Sequence, residues 1–109
     1  WIFISPDSVK VAYLRQAFEM EGMILKKLME IRFVSKDELF AKDIQRLLLE
    51  IGIKSHITFA PRYKQKSGQY RVSIYRKENF TKFKEIAIGF TMPSLKQRFH
   101  DLSLKYGLN

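Results

Sequence analysis

The chain has 109 residues, 46% of them hydrophobic, which predicts one globular domain over residues 1–109 with one core. Its 20 Lys and Arg against 11 Asp and Glu give a formal net charge of +9, which indicates an anionic partner: nucleic acid, an acidic membrane surface or an acidic protein. The absence of cysteine excludes disulfide frameworks, cysteine-ligated metal sites and thiol catalysis, and no apolar run approaches the ~20 residues that a membrane span needs.

The first predicted element is a helix that begins at Ser5 to Asp7 and runs to Gly22. A serine oxygen can cap free amides, and a proline in the first helical position loses no hydrogen bond. Gly22 is suited to end the helix because glycine readily adopts the left-handed conformation found there. Apolar residues recur at helical spacing and predict a buried face made of Val11, Leu14, Ala17 and Phe18.

A hairpin and a second helix are predicted next. Residues 23–35 are apolar and β-branched, with strand-like alternation near Ile31, and a turn is expected near Lys26 and Lys27. Ser35 and Glu38 have the spacing of a capping box, in which each side chain bonds the other residue's amide. This predicts a helix that starts at Ser35 and ends at Gly52.

The segment from Ile53 to Tyr75 shows the clearest strand alternation in the chain and predicts a second hairpin, with its turn at residues 66–68. Two helices are expected after it, from Asn79 to Phe90 and from Pro93 to Gly107. The order α-β-β-α-β-β-α-α therefore predicts an α+β fold, a four-stranded antiparallel sheet with helices packed on one face.

The segment Leu14 to Gly22, LRQAFEMEG, resembles the LAGLIDADG motif in its length, its apolar positions, its acids at the sixth and eighth places and its final glycine. Later segments are similar to ones that recur in the same order in LAGLIDADG homing endonucleases: Ile31 to Ser35, Leu47 to Ser55, and Ile88 to Phe90 leading to Lys96. The resemblance covers nearly the whole chain. It implies the αββαββα unit of that family, with a saddle-shaped sheet.

In that family two units pair across their motif helices, and the eighth motif position supplies a carboxylate to a shared Mg²⁺ site. The resemblance implies Glu21 as the catalytic, metal-binding residue, Mg²⁺ as the cofactor, and a homodimer or a second LAGLIDADG unit of the same chain as the partner. A basic residue before the third helix contributes to catalysis in some members, which here implies Lys77. Independently, Glu19 and Glu21 lie at a helix end where the macrodipole disfavours negative charge, so a metal, neighbouring lysines or solvent is expected to compensate.

The second hairpin predicts where nucleic acid lies. From Lys54 to Lys77 there are seven Lys or Arg and no Asp or Glu, whereas an ordinary solvated face mixes both signs. A polar and basic β-ribbon suits the major groove of double-stranded DNA, with RNA as an alternative. Groove-facing contacts are expected from Arg32, Lys54, His56, Thr58, Arg71, Ser73 and Tyr75, and phosphate contacts near the turn from Arg62, Lys64 and Lys66.

Two positions depart from the motif, because Gln16 and Met20 stand where family members carry small residues at the closest approach of the paired helices. Larger side chains there change the pairing geometry. Three functions therefore stay open: a site-specific, Mg²⁺-dependent double-stranded DNA endonuclease of the homing type, a non-cleaving nucleic-acid-binding module such as a transcription regulator or an intron maturase, and an unrelated basic interaction domain. An intracellular address, cytoplasmic or nucleoid-associated, is expected in each case, with no membrane partner.

Overall fold

A computed structural model of the chain describes residues 2–25, 27–60 and 68–107. The predicted order of helices and strands is confirmed, preceded by a single 3-10 turn at Ile2–Ile4. The elements are α1 (Asp7–Glu21), β1 (Gly22–Leu25), β2 (Glu30–Ser35), α2 (Glu38–Glu50), β3 (His56–Ala60), β4 (Gln69–Ile74), α3 (Lys77–Ala87) and α4 (Pro93–Tyr106).

The four strands form one antiparallel sheet in the order β1-β2-β4-β3. Phe33 lies opposite Val72, and Ile31 lies opposite Ile74, and all four side chains are fully buried. Helices α1, α2 and α4 contact the strands. The apolar alternate residues therefore face the helices, which confirms the predicted α+β arrangement.

The centre of the core is a group of phenylalanine rings between the helices and the sheet. Phe18 of α1 lies 5.6 Å from Phe33 of β2 and 5.1 Å from Phe83 of α3, measured between ring centroids. Such tilted and edge-to-face pairs add about 0.5–1.5 kcal/mol each beyond the burial of their area. Helix α1, which carries the LAGLIDADG-like segment and is called the motif helix below, thus packs against both the sheet and α3. None of the helices described between residues 2 and 107 is long and apolar enough to cross a bilayer.

The start of α2 differs from the prediction. Asp37, not Ser35, is the N-cap residue, and its Oδ1 accepts hydrogen bonds from the amides of Leu39 at 2.9 Å and Phe40 at 3.4 Å. Ser35 still pairs with Tyr70 as the last residue of β2, so its backbone belongs to the sheet. Its hydroxyl instead accepts a hydrogen bond from the Asp37 amide. The capping-box prediction was wrong because strand pairing extends through the serine.

Candidate nucleic-acid interface and metal-binding carboxylate

The face of the sheet turned away from the helices, called the open face below, combines side chains from all four strands. Directly paired residues share a face, and the register aligns Arg32 with Ser73 and Ser73 with His56. The open face comprises Met23, Leu25, Glu30, Arg32, Val34, His56, Thr58, Ala60, Gln69, Arg71 and Ser73. Five of the residues predicted to contact nucleic acid are among them, and their role in binding stays a prediction.

The other predicted contact residues lie around this face or outside the described chain. Tyr75 follows β4, is 40% exposed, and has its ring centroid 6.1 Å from that of His56. Lys54 precedes β3 with an exposed side chain, and its amide donates a hydrogen bond to Asn79 Oδ1 at 3.0 Å. Residues 61–67, and with them Arg62, Lys64 and Lys66, lie outside the described residues.

The two arginines of the open face differ in how they are held. Arg32 bonds an acidic side chain of the same strand, with Nε 2.7 Å from Glu30 Oε2 and Nη2 3.1 Å from Glu30 Oε1. Arg71 is half-buried, and its Nε has no hydrogen-bond partner among the described residues. A buried donor without an acceptor costs about 1–3 kcal/mol. This Nε is also shielded from solvent, so an acceptor on a bound ligand would reach it only after the side chain moved.

Glu30 is an acid on the otherwise basic open face. It is 3% exposed and also accepts a hydrogen bond from Ser73 Oγ at 2.7 Å. Burial raises the pKa of Glu30, but the hydrogen bonds from Arg32 and Ser73 and the Arg32 charge outweigh burial, so the pKa lies below its ordinary value. Glu30 was not among the predicted site residues, because the charge count that located the surface covered only Lys54 to Lys77. Glu30 and Arg32 are two positions apart in a strand and therefore share a face, which was the signal in the sequence.

Glu21, the predicted metal ligand, is the last residue of α1 and is exposed. None of the hydrogen bonds or ion pairs formed among the described residues involves its carboxylate. It lines a cavity of about 310 Å³ that reaches the edge of the open face; the other lining residues are Met20, Val34, Ser35, Lys36, Phe40 and Gln69. The end of the motif helix therefore brings one free carboxylate beside the sheet.

The residues around Glu21 fit part of a magnesium site. Mg²⁺ takes oxygen ligands, keeps several of its waters and is commonly held by one or two carboxylates. Glu21 supplies one carboxylate to the cavity, which the neutral side chains of Ser35 and Gln69 and the cationic Lys36 also line. Among residues 2–25, 27–60 and 68–107, no three His, Cys, Asp or Glu side chains cluster as a metal site requires. Among the residues lining this cavity, Glu21 is the one acid.

Lys77 is not brought near Glu21. Lys77 is the first residue of α3, just beyond the C-terminal end of β4, whereas Gln69, which shares the Glu21 cavity, is the first residue of that strand. The strand between them is about 17 Å long at about 3.3 Å per residue. Within one chain, Lys77 and Glu21 therefore lie toward opposite ends of β4, and the catalytic role of each stays a prediction.

Two other motif residues hold the junction between α3 and α4. Arg15 donates hydrogen bonds from Nε and Nη2 to the carbonyl oxygens of Ile86 and Glu85, both at 2.9 Å. One turn later on α1, the Glu19 carboxylate accepts hydrogen bonds from the amides of Thr91 and Met92. A cation at the C-terminal end of α3 and an anion before the N-terminal end of α4 both complement the helix dipoles.

The two motif acids therefore have different surroundings. The helix-end prediction grouped Glu19 with Glu21, but Glu19 is compensated by the backbone of the α3–α4 junction rather than by a metal. Gly89 in that junction lies against the Arg15 guanidinium, which a Cβ there, 2.2 Å from Arg15 Cζ, would displace. Of the two motif acids, Glu21 is the one whose carboxylate has no hydrogen-bond or ion-pair partner among the described residues.

We expect Glu19→Gln to lower the free energy of unfolding at neutral pH and to make that free energy less dependent on pH in the acidic range. The Thr91 backbone hydrogen bond holds the pKa of Glu19 below its ordinary 4.5, although desolvation opposes it. A carboxyl whose folded pKa is depressed stabilises the fold above its unfolded pKa and loses that contribution as pH falls through the folded pKa. Urea unfolding at neutral pH and below pH 4.5 measures this. Glu85→Gln, at an exposed site, is the control, and equal acid sensitivity of wild type and Glu19→Gln would contradict the assignment.

The side of α1 that faces away from the core carries an apolar stripe. Val9 is 37% exposed, Tyr13 39% and Met20 71%. Ala12 and Gln16 are exposed between them at helical spacing. A surface of this composition on the motif helix is available to a second helix.

Several known proteins are similar to this chain in sequence. The chain is 32% identical over 95 residues to the A subunit of DNA gyrase from Mycobacterium leprae (strain TN), covering 84% of this chain and 7% of that protein. It is 30% identical over 93 residues to the corresponding gyrase protein of Mycobacterium kansasii, covering 82% and 16%, and 30% identical over 77 residues to that of Mycobacterium gordonae, covering 68% and 13%. The chain therefore spans less than a fifth of these relatives. Residues 8–87, from the motif helix through α3, match the family described as LAGLIDADG-like domain, and the chain belongs to that family.

Proposed function

We propose that the chain is one unit of a site-specific double-stranded DNA endonuclease of the homing type, acting by Mg²⁺-dependent phosphodiester hydrolysis. The observation that carries the proposal is the position of Glu21. Its free carboxylate lies at the end of the motif helix, in a cavity shared with Val34 and Gln69 of the open face. A phosphate of DNA lying on the open face would pass close to this carboxylate.

The open face supports DNA as the substrate. Arginine recognises guanine through two parallel hydrogen bonds in the major groove, and hydroxyl groups adapt to several bases. Arg32, Arg71 and Thr58 offer these groups from adjacent strands. The similar proteins are named as the A subunit of DNA gyrase, but the matched segment is too small a part of them to transfer their activity.

Hydrolysis would need a second unit, either in a homodimer or in the same chain. One chain supplies a single carboxylate to the cavity, and the exposed apolar stripe of α1 leads directly to it. Pairing two such stripes would bury apolar area and bring two copies of Glu21 toward each other. Mg²⁺ held there would activate water and neutralise the leaving oxygen.

A non-cleaving nucleic-acid-binding module is the second candidate. The exposed Met20 and Gln16 favour it, because their bulk lies on the helix side that would pair. Longer side chains at a helix crossing increase the distance between the helix axes, which lie about 8–10 Å apart in typical pairs. Carboxylates kept apart in this way could not share an ion.

DNA binding and cleavage are tested together with a randomised duplex pool, using Ca²⁺ for binding and Mg²⁺ or Mn²⁺ for cleavage. Selected sequences should be cut at one position. Binding without cleavage in either ion would favour the second candidate, and failure to bind any duplex would reject DNA as the substrate.

Two sets of substitutions should separate phosphate contacts from base contacts. Replacing Lys64 and Lys66 with alanine should weaken binding to all sequences and flatten the slope of log affinity against log salt by about 0.9 for each lost contact. Arg71→Ala should instead relax preference at one base pair, by about 1–3 kcal/mol of discrimination. Fluorescence anisotropy over a salt series measures both effects. An unchanged slope in the double variant would place the phosphate contacts elsewhere.

A further inference from the structure

A buried acid on the open face needs a reason, because that face is proposed to bind DNA and a carboxylate repels phosphate. Glu30 is 3% exposed, and its two oxygens accept three hydrogen bonds, two from Arg32 and one from Ser73. Both partners belong to the open face. The carboxylate is thus paired and hydrogen-bonded as burial of a charge requires. It also fixes the orientation of a guanidinium group.

The contacts leave a defined part of Arg32 free. A guanidinium has five N–H donors in a rigid planar fork. The Nε and one Nη2 hydrogen form the side edge of the fork, and this edge binds Glu30. The end edge, formed by Nη1 and the second Nη2 hydrogen, is not used by Glu30. The Arg32 side chain is 17% exposed, so part of it stays accessible.

We propose that Glu30 is a positioning residue for DNA recognition: it holds Arg32 so that the end edge of the guanidinium is presented to a guanine in the major groove. This inference rests on the proposed DNA-binding function and names a specificity determinant within it. Guanine O6 and N7 accept two parallel hydrogen bonds, which matches that edge. Ordering the guanidinium before binding removes part of the entropy cost of forming these bonds.

The neighbouring arginine provides the contrast that supports this role. Arg71, one row away on the same face, has no such carboxylate, and its Nε lacks a partner among the described residues. Arg32 is therefore held in place before binding, whereas Arg71 has no acceptor at Nε that fixes its direction. Loss of Glu30 should remove the contact that fixes the direction of Arg32.

Glu30→Gln has an expected signature that simple destabilisation would not produce. Discrimination at one base pair should fall about tenfold, because Arg32 loses its fixed direction. Affinity for unrelated duplexes should stay equal or rise, since a negative charge leaves the DNA-facing surface. A variant that had only lost folded protein would weaken binding to selected and unrelated sequences by the same factor.

The experiment compares wild type, Glu30→Gln, Arg32→Ala and the double variant on duplexes selected from the randomised pool and on single-base variants of them. Glu38→Gln is the matched control, because it removes a carboxylate from an exposed ion pair with Lys42 on α2. The proposal expects both single variants to lose discrimination at the same base pair, with no further loss in the double variant. Full discrimination in Glu30→Gln, or unchanged recognition in Arg32→Ala, would overturn it.

An NMR measurement on the free protein distinguishes failure of this inference from failure of the proposed function. The Arg32 Nε–H signal should be protected from exchange in wild type and in Glu38→Gln, and should lose that protection in Glu30→Gln. An unprotected signal in wild type overturns the positioning role even when DNA binds. A protected signal in a protein that binds no duplex overturns the proposed function, and base recognition by Arg32 with it.

Discussion

Glutamine in place of Glu21 is expected to abolish strand cleavage in Mg²⁺ while leaving DNA affinity in Ca²⁺ unchanged. The substitution keeps the shape of the side chain but removes the charge that a divalent ion requires. Losing an outer partner of a metal ligand already costs about 10- to 100-fold, so losing the ligand itself should cost at least about 100-fold in cleavage rate. Nicking of a labelled, selected duplex measures this over a time course.

The control for this experiment uses the other motif acid. Glu19→Gln should reduce cleavage less than Glu21→Gln does, because Glu19 bonds the backbone of Thr91 and Met92 instead of facing the cavity. The comparison has to be made below the unfolding temperature of the less stable variant. Cleavage by Glu21→Gln at the wild-type rate would mean that catalysis does not pass through this carboxylate.

Alanine in place of Gly22 is expected to cost about 3 kcal/mol or more of unfolding free energy, at the upper end of overpacking effects. A Cβ at this position would lie 2.4 Å from the Phe18 carbonyl oxygen and 2.8 Å from Phe18 Cα. Both are backbone atoms, so α1 and β1 would have to move apart. Since Glu21 is the preceding residue, the same shift would also displace the candidate metal ligand.

Gly107→Ala is the matched control for Gly22→Ala, since it makes the same substitution at another helix end. Among the described residues, a Cβ at Gly107 would meet nothing within 4 Å, and the left-handed backbone, with φ of 68°, opposes it. That conformation costs an alanine about 1–2 kcal/mol. Urea unfolding of both variants measures the difference. Equal losses at the two glycines would show that close packing at Gly22 is not what requires the glycine.

Local patterns predicted most of the fold because they report on nearest neighbours. Alternation around Ile31 and Val72 reflects the two faces of a strand, and Pro93 and Gly107 do bound the last helix. The motif resemblance likewise located Glu21 at a helix end. These features depend on residues a few positions apart, so the sequence alone predicts them.

Only the tertiary structure decided what the charged residues contact. Glu19 meets Thr91 across 72 positions, and Glu30 meets Ser73 across 43, distances over which no spacing rule applies. The helix dipole acts on Glu19 and Glu21 alike. In the folded chain, however, the α3–α4 junction donates two backbone hydrogen bonds to the Glu19 carboxylate and none to that of Glu21. The tertiary structure also separates Lys77 from Glu21. Lys77 follows the last residue of β4, whereas Glu21 lies beside Gln69, the first residue of that strand. The sequence by itself determined the helices and strands and their order. The folding of distant segments onto one another determined which charged side chains pair with one another.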